Sequence, residues 1–180
     1  MFIRIKKITK NGKNYPYACV VENRWMKKTK RSRQKVKKYL GRVYFLDRIN
    51  NNNFFEFYSI ADVKDYVKNN DKRRIIDDLI RFELIAHGFK DESNFLVNGK
   101  IYFDKINNEL FINNEKIKNS NVVLAMNEGF LCDDTIKRLF GRFDGNEKEV
   151  GFKLANAFVE AGLKIPEEIF IGIFEKVINK

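Results

Sequence analysis

From Phe2 to Ile8 apolar and charged residues alternate, with Ile3 and Ile5 on one side of an extended chain and Arg4 and Lys6 on the other. That two-residue period belongs to a half-buried strand. Asn11-Gly12 follows, a pair that tolerates the positive φ both central residues of a type I′ hairpin turn require. The return strand runs from Tyr15 to Arg24, where Tyr15, Tyr17, Cys19 and Val21 share a face. Pro16, without an amide hydrogen, suits an edge or a strand end. A Lys-rich loop, Met26 to Ser32, leads to a third strand, Arg33 to Leu40, closed by Gly41. There Val36, Lys38 and Leu40 alternate with Arg33, Lys35, Lys37 and Tyr39. The expectation is a three-stranded antiparallel sheet whose outer face carries a row of cations.

Beyond Leu46 the pattern changes. Asn50 to Asn53 are four consecutive Asn, a polar run expected to act as a linker. The chain is accordingly divided into a basic β module (residues 1–49), an Asn-rich and aromatic connection (50–58) and an α+β unit (59–180). In that unit Ser59 is the expected cap of a first helix, with Asp62 three residues on, and Asp71 of a second, Lys72 to His87. On the second, Ile75, Ile76, Leu79, Phe82 and Ile85 draw an apolar stripe, and Gly88 marks its end. Phe95 to Lys118 reverts to short segments split by Asn-Gly and Asn-Asn pairs, the signature of tandem hairpins. Asn121 to Met126 fits a buried strand or a helix start equally well. Three helices should close the chain: one capped by Asp133 or Asp134, one over Lys148 to Ala161 ending at Gly162, and one over Glu167 to Ile178 with Pro166 in its first turn. The fold class is α+β.

Charge sharpens this division. The first 50 residues hold sixteen Lys or Arg against only Glu22 and Asp47, a net +14, while the chain as a whole carries +11. The remainder is therefore slightly acidic, at −3. All the excess positive charge sits in the N-terminal quarter, as expected of a nucleic-acid-binding module joined to a unit with another task. The densest stretch, Arg24 to Arg42, has ten Lys and Arg, no acid, one Trp and one Tyr. Such a run repels itself unless it meets a polyanion.

Other chemistry finds little footing. Cys19 and Cys132 lie far apart with the single His87 near neither, so no zinc spacing or disulfide framework arises, and both read as small core residues. The adjacent pairs Asp77-Asp78, Asp133-Asp134 and Glu167-Glu168 would diverge by roughly 100° on a helix, so capping explains them better than metal binding. His87 at a helix end reads as an ordinary exposed imidazole. No phosphate-cradling glycine loop or nucleophile elbow is present. No catalytic residues, metal or cofactor are expected, nor is a membrane span or signal peptide. The setting is expected to be cytoplasmic.

The ordered segments MFIRIKK, KNGKNY, VVEN and RQKVKKYLGRV resemble the N-terminal region of IS1634-like, IS4-related transposases, most clearly at Gln34, Lys35, Val36, Tyr39, Leu40, Gly41 and Arg42. The likeness covers about the first 45 residues. Transposases of that group continue into an RNase-H-like domain with a spaced Asp, Asp, Glu set on a metal pair, and no carboxylates of this chain are matched to that set. The resemblance thus implies a nucleic-acid-contacting module descended from a mobile element and gives no support for strand-transfer activity.

The expected function is binding of nucleic acid, double-stranded DNA before RNA, through a basic sheet face. Cations on alternate positions of a strand step by roughly 6.6 Å, close to the spacing of successive phosphates. The expected contacts are Arg4, Lys6, Lys13, Arg24, Trp25, Lys27, Lys28, Lys30, Arg31, Arg33, Gln34, Lys35, Lys37, Lys38, Tyr39 and Arg42. Among them Arg31, Arg33 and Gln34 are candidates for base edges, and Trp25 and Tyr39 for stacking. For Trp25, core packing against Tyr17 is equally open. The alternative is an RNA-binding subunit of a ribonucleoprotein such as the ribosome. The 59–180 unit is then free for self-association, for example as a homodimer, or for contact with another protein.

Overall fold

A computed structural model describes residues 1–28, 30–112 and 121–179. The chain opens with β1 (Phe2–Lys10), β2 (Lys13–Met26) and β3 (Arg31–Phe45). Three helices follow: α1 (Phe54–Phe57), α2 (Val63–Asn69) and α3 (Lys72–Ala86). Four short strands, β4 (Lys90–Glu92), β5 (Phe95–Asn98), β6 (Ile101–Asp104) and β7 (Glu109–Ile112), form an antiparallel meander. Then come β8 (Val122–Met126), β9 (Gly129–Leu131), α4 (Asp133–Phe140), α5 (Glu147–Ala161) and α6 (Glu167–Ile178). The fold is α+β. Among the described residues no helix is long and apolar enough to cross a membrane.

The first sheet is larger than the three antiparallel strands the sequence suggests. Its order is β1-β2-β3-β8-β9, with β8 parallel to β3 from Arg42↔Val122 to Phe45↔Ala125. Strands on either side of the expected 50–58 division are thus hydrogen-bonded neighbours, and the ambiguous Asn121 to Met126 run is largely strand. Gly41 does not end β3. It lies within the strand at φ +143°, where a Cβ would overlap the Asn121 carbonyl, and that carbonyl accepts from the Arg42 amide at 3.1 Å. A strand glycine here marks a close backbone approach.

Two apolar clusters flank the sheet. Leu124, Leu131 and Val122 join the main core with Ile75, Ile76, Leu79 and Phe82 of α3 and with Leu154, Phe158, Ile169 and Ile173 of the last two helices. The other face of the sheet packs Ala18, Leu40, Val43, Val123 and Cys132 with Ile3, Ile5 and Val20. Both cysteines are free and buried, as small core residues should be. The Asn11-Gly12 turn takes φ 52° and 71°, as a type I′ hairpin demands. The fourth segment of the expected tandem hairpins, around Lys116, lies outside the described residues.

Several local assignments change, each for a visible reason. Asn53 caps α1 by accepting from the Phe55 amide, and the amides of Ile49 and Asn50 donate to the Ala86 carbonyl, so the Asn run is pinned to the end of α3. Asp62, not Ser59, caps α2, accepting from the Lys64 and Asp65 amides at 2.7 and 3.1 Å. Cys132 occupies the cap position of α4, where its amide donates to Thr135 Oγ1. Pro166 stands at the cap position of α6, just ahead of the first turn. Asp77 and Asp78 cap nothing: Asp77 accepts from Asn108, while Asp78 accepts from Tyr66 OH and pairs with Arg74. His87 is buried, since the turn before it carries fully buried Glu83. That carboxylate lies 2.8 Å from Arg48 Nη1 and 2.8 Å from Asn127 Nδ2, with His87 Nδ1 at 3.7 Å.

The Gly41 contact generates a test. Gly41→Ala adds a methyl against the Asn121 backbone in a region of φ that L residues disfavour, and should cost about 2 kcal/mol or more. Urea unfolding monitored by far-UV circular dichroism checks this; an unchanged midpoint would show that β3 does not approach residue 121 as described.

Candidate nucleic-acid interface

β2 and β3 outrun β1. The first β1–β2 pair is Phe2↔Val21, so residues beyond Val21 on β2 and before Val36 on β3 pair only with each other, from Glu22↔Lys35 to Met26↔Arg31. This two-stranded ribbon is about five residues long per strand, or roughly 17 Å, and the Lys27–Lys30 turn closes it. Apart from half-buried Glu22 and the undescribed Thr29, every residue from 22 to 35 is exposed. The local cause is plain: this stretch has no run of large aliphatic residues to fold back onto the body.

Two β-bulges set which side chain faces where. The register passes from Ala18↔Gly41 to Cys19↔Tyr39 and from Val20↔Lys38 to Val21↔Val36, leaving Leu40 and Lys37 unpaired on β3. A bulge places two residues against one and shifts the alternation, so the simple odd-even reading of β3 does not hold. Directly paired residues share a face. One face of the ribbon carries Arg24 opposite Arg33, Met26 opposite Arg31, and Lys35 opposite Glu22, with Lys38 further along. The other face carries Asn23 opposite Gln34 and Trp25 opposite Ser32, then Val36 and Tyr39.

The ribbon therefore has a cationic side and an uncharged side. Lys27, Lys28 and Lys30 add charge at the tip, so residues 22–35 hold seven cations against Glu22 alone. Glu22 lies 3.0 Å from Lys37 and 4.0 Å from Arg24, and the hydrogen bond from Lys37 holds its carboxyl below the ordinary range. Among the described residues no ion pair engages Lys27, Lys28, Lys30, Arg31, Arg33 or Lys35. Arg24 facing Arg33 is a like-charge pair, destabilising in the free protein.

Not all the expected contacts gather there. Lys38 is paired with Asp134 at the start of α4, and Lys37 with Glu22, so the body and the base of the ribbon neutralise both. Lys13 lies at the far end of β2 from the tip, roughly 40 Å along the strand. Arg4 donates to Gln34 Oε1 across the uncharged face. Lys6 is half-buried beside Cys19, whose thiol burial pushes above its ordinary pKa, an effect Lys6 partly offsets. Arg42 lies over the rings of Tyr15 and Tyr44, at 4.7 and 5.3 Å from their centroids. Trp25 is 65% exposed and does not pack against Tyr17, and Tyr39 is 59% exposed. The three candidates for base contact are split, with Arg31 and Arg33 on the cationic side and Gln34 on the other.

Asn23 and Ser32 belong to this surface and escaped the sequence reading. Counting outward from a four-residue turn at Lys27–Lys30 would have paired Asn23 with Gln34. Among the described residues no three His, Cys, Asp or Glu side chains gather as a metal site. No protein-family model matches the chain, nor does any curated protein or solved structure.

The exposure of Trp25 is directly measurable, because it is the chain's one Trp. Its emission in the native protein should have the red-shifted maximum of a hydrated indole, and acrylamide should quench it nearly as well as in urea. Trp25→Ala should leave stability within about 0.5 kcal/mol. A blue-shifted, protected indole would mean that the ribbon is folded against the body.

Proposed function

We propose that this protein binds nucleic acid, double-stranded DNA foremost, by laying the Glu22–Lys35 ribbon along the phosphate-lined groove. The observation that carries the reading is the set of six ribbon cations that, among the described residues, no ion pair engages, on a projecting β ribbon. A two-stranded ribbon fits the width of the major groove, about 12 Å, and its length spans about five base pairs. The helical body supplies the anchor, and among the described residues its acids reach the cationic face at its base alone, at Lys38. The resemblance of the β1–β3 segments to transposase N-terminal regions supports the same reading and a mobile-element ancestry.

A second reading rests on the uncharged face. Trp25 and Tyr39, both widely exposed on the face where Arg4 meets Gln34, offer rings on which unpaired bases would stack, as RNA-binding sheets use them. Competition among duplex DNA, single strand and structured RNA ranks the two. Duplex should win if the ribbon acts in a groove, and single-stranded RNA should win if the aromatic face leads.

Affinity for duplex DNA should fall steeply with salt, with a log-log slope between about −4.5 and −6.3 if five to seven phosphates are neutralised. The triple substitution of Lys27, Lys28 and Lys30 by Ala should weaken binding to all sequences and flatten the slope by about three. A slope near zero in the parent protein would refute phosphate contact.

A further inference from the structure

We infer that the ribbon enters the major groove with its cationic face inward and that Arg24 and Arg33 read guanines there. This rests on the duplex-binding reading above and concerns the same ribbon. The two faces of a ribbon cannot both touch the floor of one groove, so one looks in and the other looks out. Turning Asn23, Trp25, Ser32 and Gln34 inward would leave Arg24, Arg31, Arg33 and Lys35 aimed at solvent, with Arg24 still opposed to Arg33. Turning the cations inward places that unfavourable pair in the negative potential of the groove.

The chemistry of the floor then selects the base. Guanine offers O6 and N7, two acceptors spaced for a guanidinium fork, and the groove edge of adenine suits Asn or Gln instead. On this chain the Asn and Gln lie on the outward face, and Gln34 already accepts from Arg4. Arg24 and Arg33, directly opposed on neighbouring strands, stand about 5 Å apart at their Cα atoms. That separation is comparable to the rise between adjacent base pairs, about 3.4 Å, so the two forks reach guanines at neighbouring steps. Lys35 and the Lys27–Lys30 turn flank the pair and serve the phosphates.

Selection from randomised duplexes with the full chain tests this. The expected result is enrichment of sites with neighbouring G·C pairs. Arg24→Lys with Arg33→Lys keeps the charge and removes the fork. In this variant salt-dependent binding to random-sequence duplex should persist, while the preference for the selected site over a scrambled one falls about tenfold. Asn23→Ala with Gln34→Ala should leave that preference intact. The inference is overturned if the Asn23/Gln34 variant loses the preference and the arginine variant keeps it, since the uncharged face would then look inward. It is also overturned if salt-dependent binding persists but selection returns no sequence preference, which would leave phosphate binding standing without base reading. Absence of salt-dependent binding altogether would remove the ribbon reading itself.

Discussion

One strand ties this molecule together. β3 is the second strand of the exposed ribbon at its Arg31 end and the parallel partner of β8 at its Phe45 end. The join is tight because Gly41 admits the Asn121 backbone where any other residue would collide with it. Around that join the chain closes its cores: Val43 and Val123 face one apolar cluster, and Leu124 faces the other. The ribbon is therefore not a loose arm. It continues two strands whose other halves are fixed in the body, so side chains near its base have set directions.

The same strand changes character along its length. Near Gly41 it is flanked by apolar neighbours and bulged, and beyond Val36 it has one partner, β2, and no core. Burial of apolar surface stabilises the first half. The second half holds together by ladder hydrogen bonds while carrying opposed cations that work against it. A segment organised in this way costs stability in the free protein, a cost that contact with a polyanion would offset. In the body several charges are paired: Glu83 with Arg48, Asp91 with Arg81 and Lys105, and Arg138 with Glu160, while Asn127 also donates to Glu83.

Local patterns were legible in the sequence where local rules decide. Asn11-Gly12 made its turn because both residues tolerate positive φ, and the Ile75–Phe82 stripe faced the core because helical periodicity admits one apolar side. What could not be read depends on distant partners. A five-residue apolar run at 122–126 does not say which strand it will join, and Gly41 looks like a strand end until Asn121 arrives beside it. The cationic row was visible. Its division between faces was not, because two bulges reset the alternation, and the neutralisation of Lys38 comes from Asp134, far along the chain. His87 looked exposed because its burial depends on Arg48 and Asn127 closing around Glu83.

An amide NMR titration of the full chain with a short duplex tests most directly whether the cationic ribbon is the binding surface. Shifts should concentrate at Glu22 to Lys35, fall away along β3 toward Phe45, and leave α5 and α6 unmoved. Shifts centred on the helices, with the ribbon amides unchanged, would contradict it.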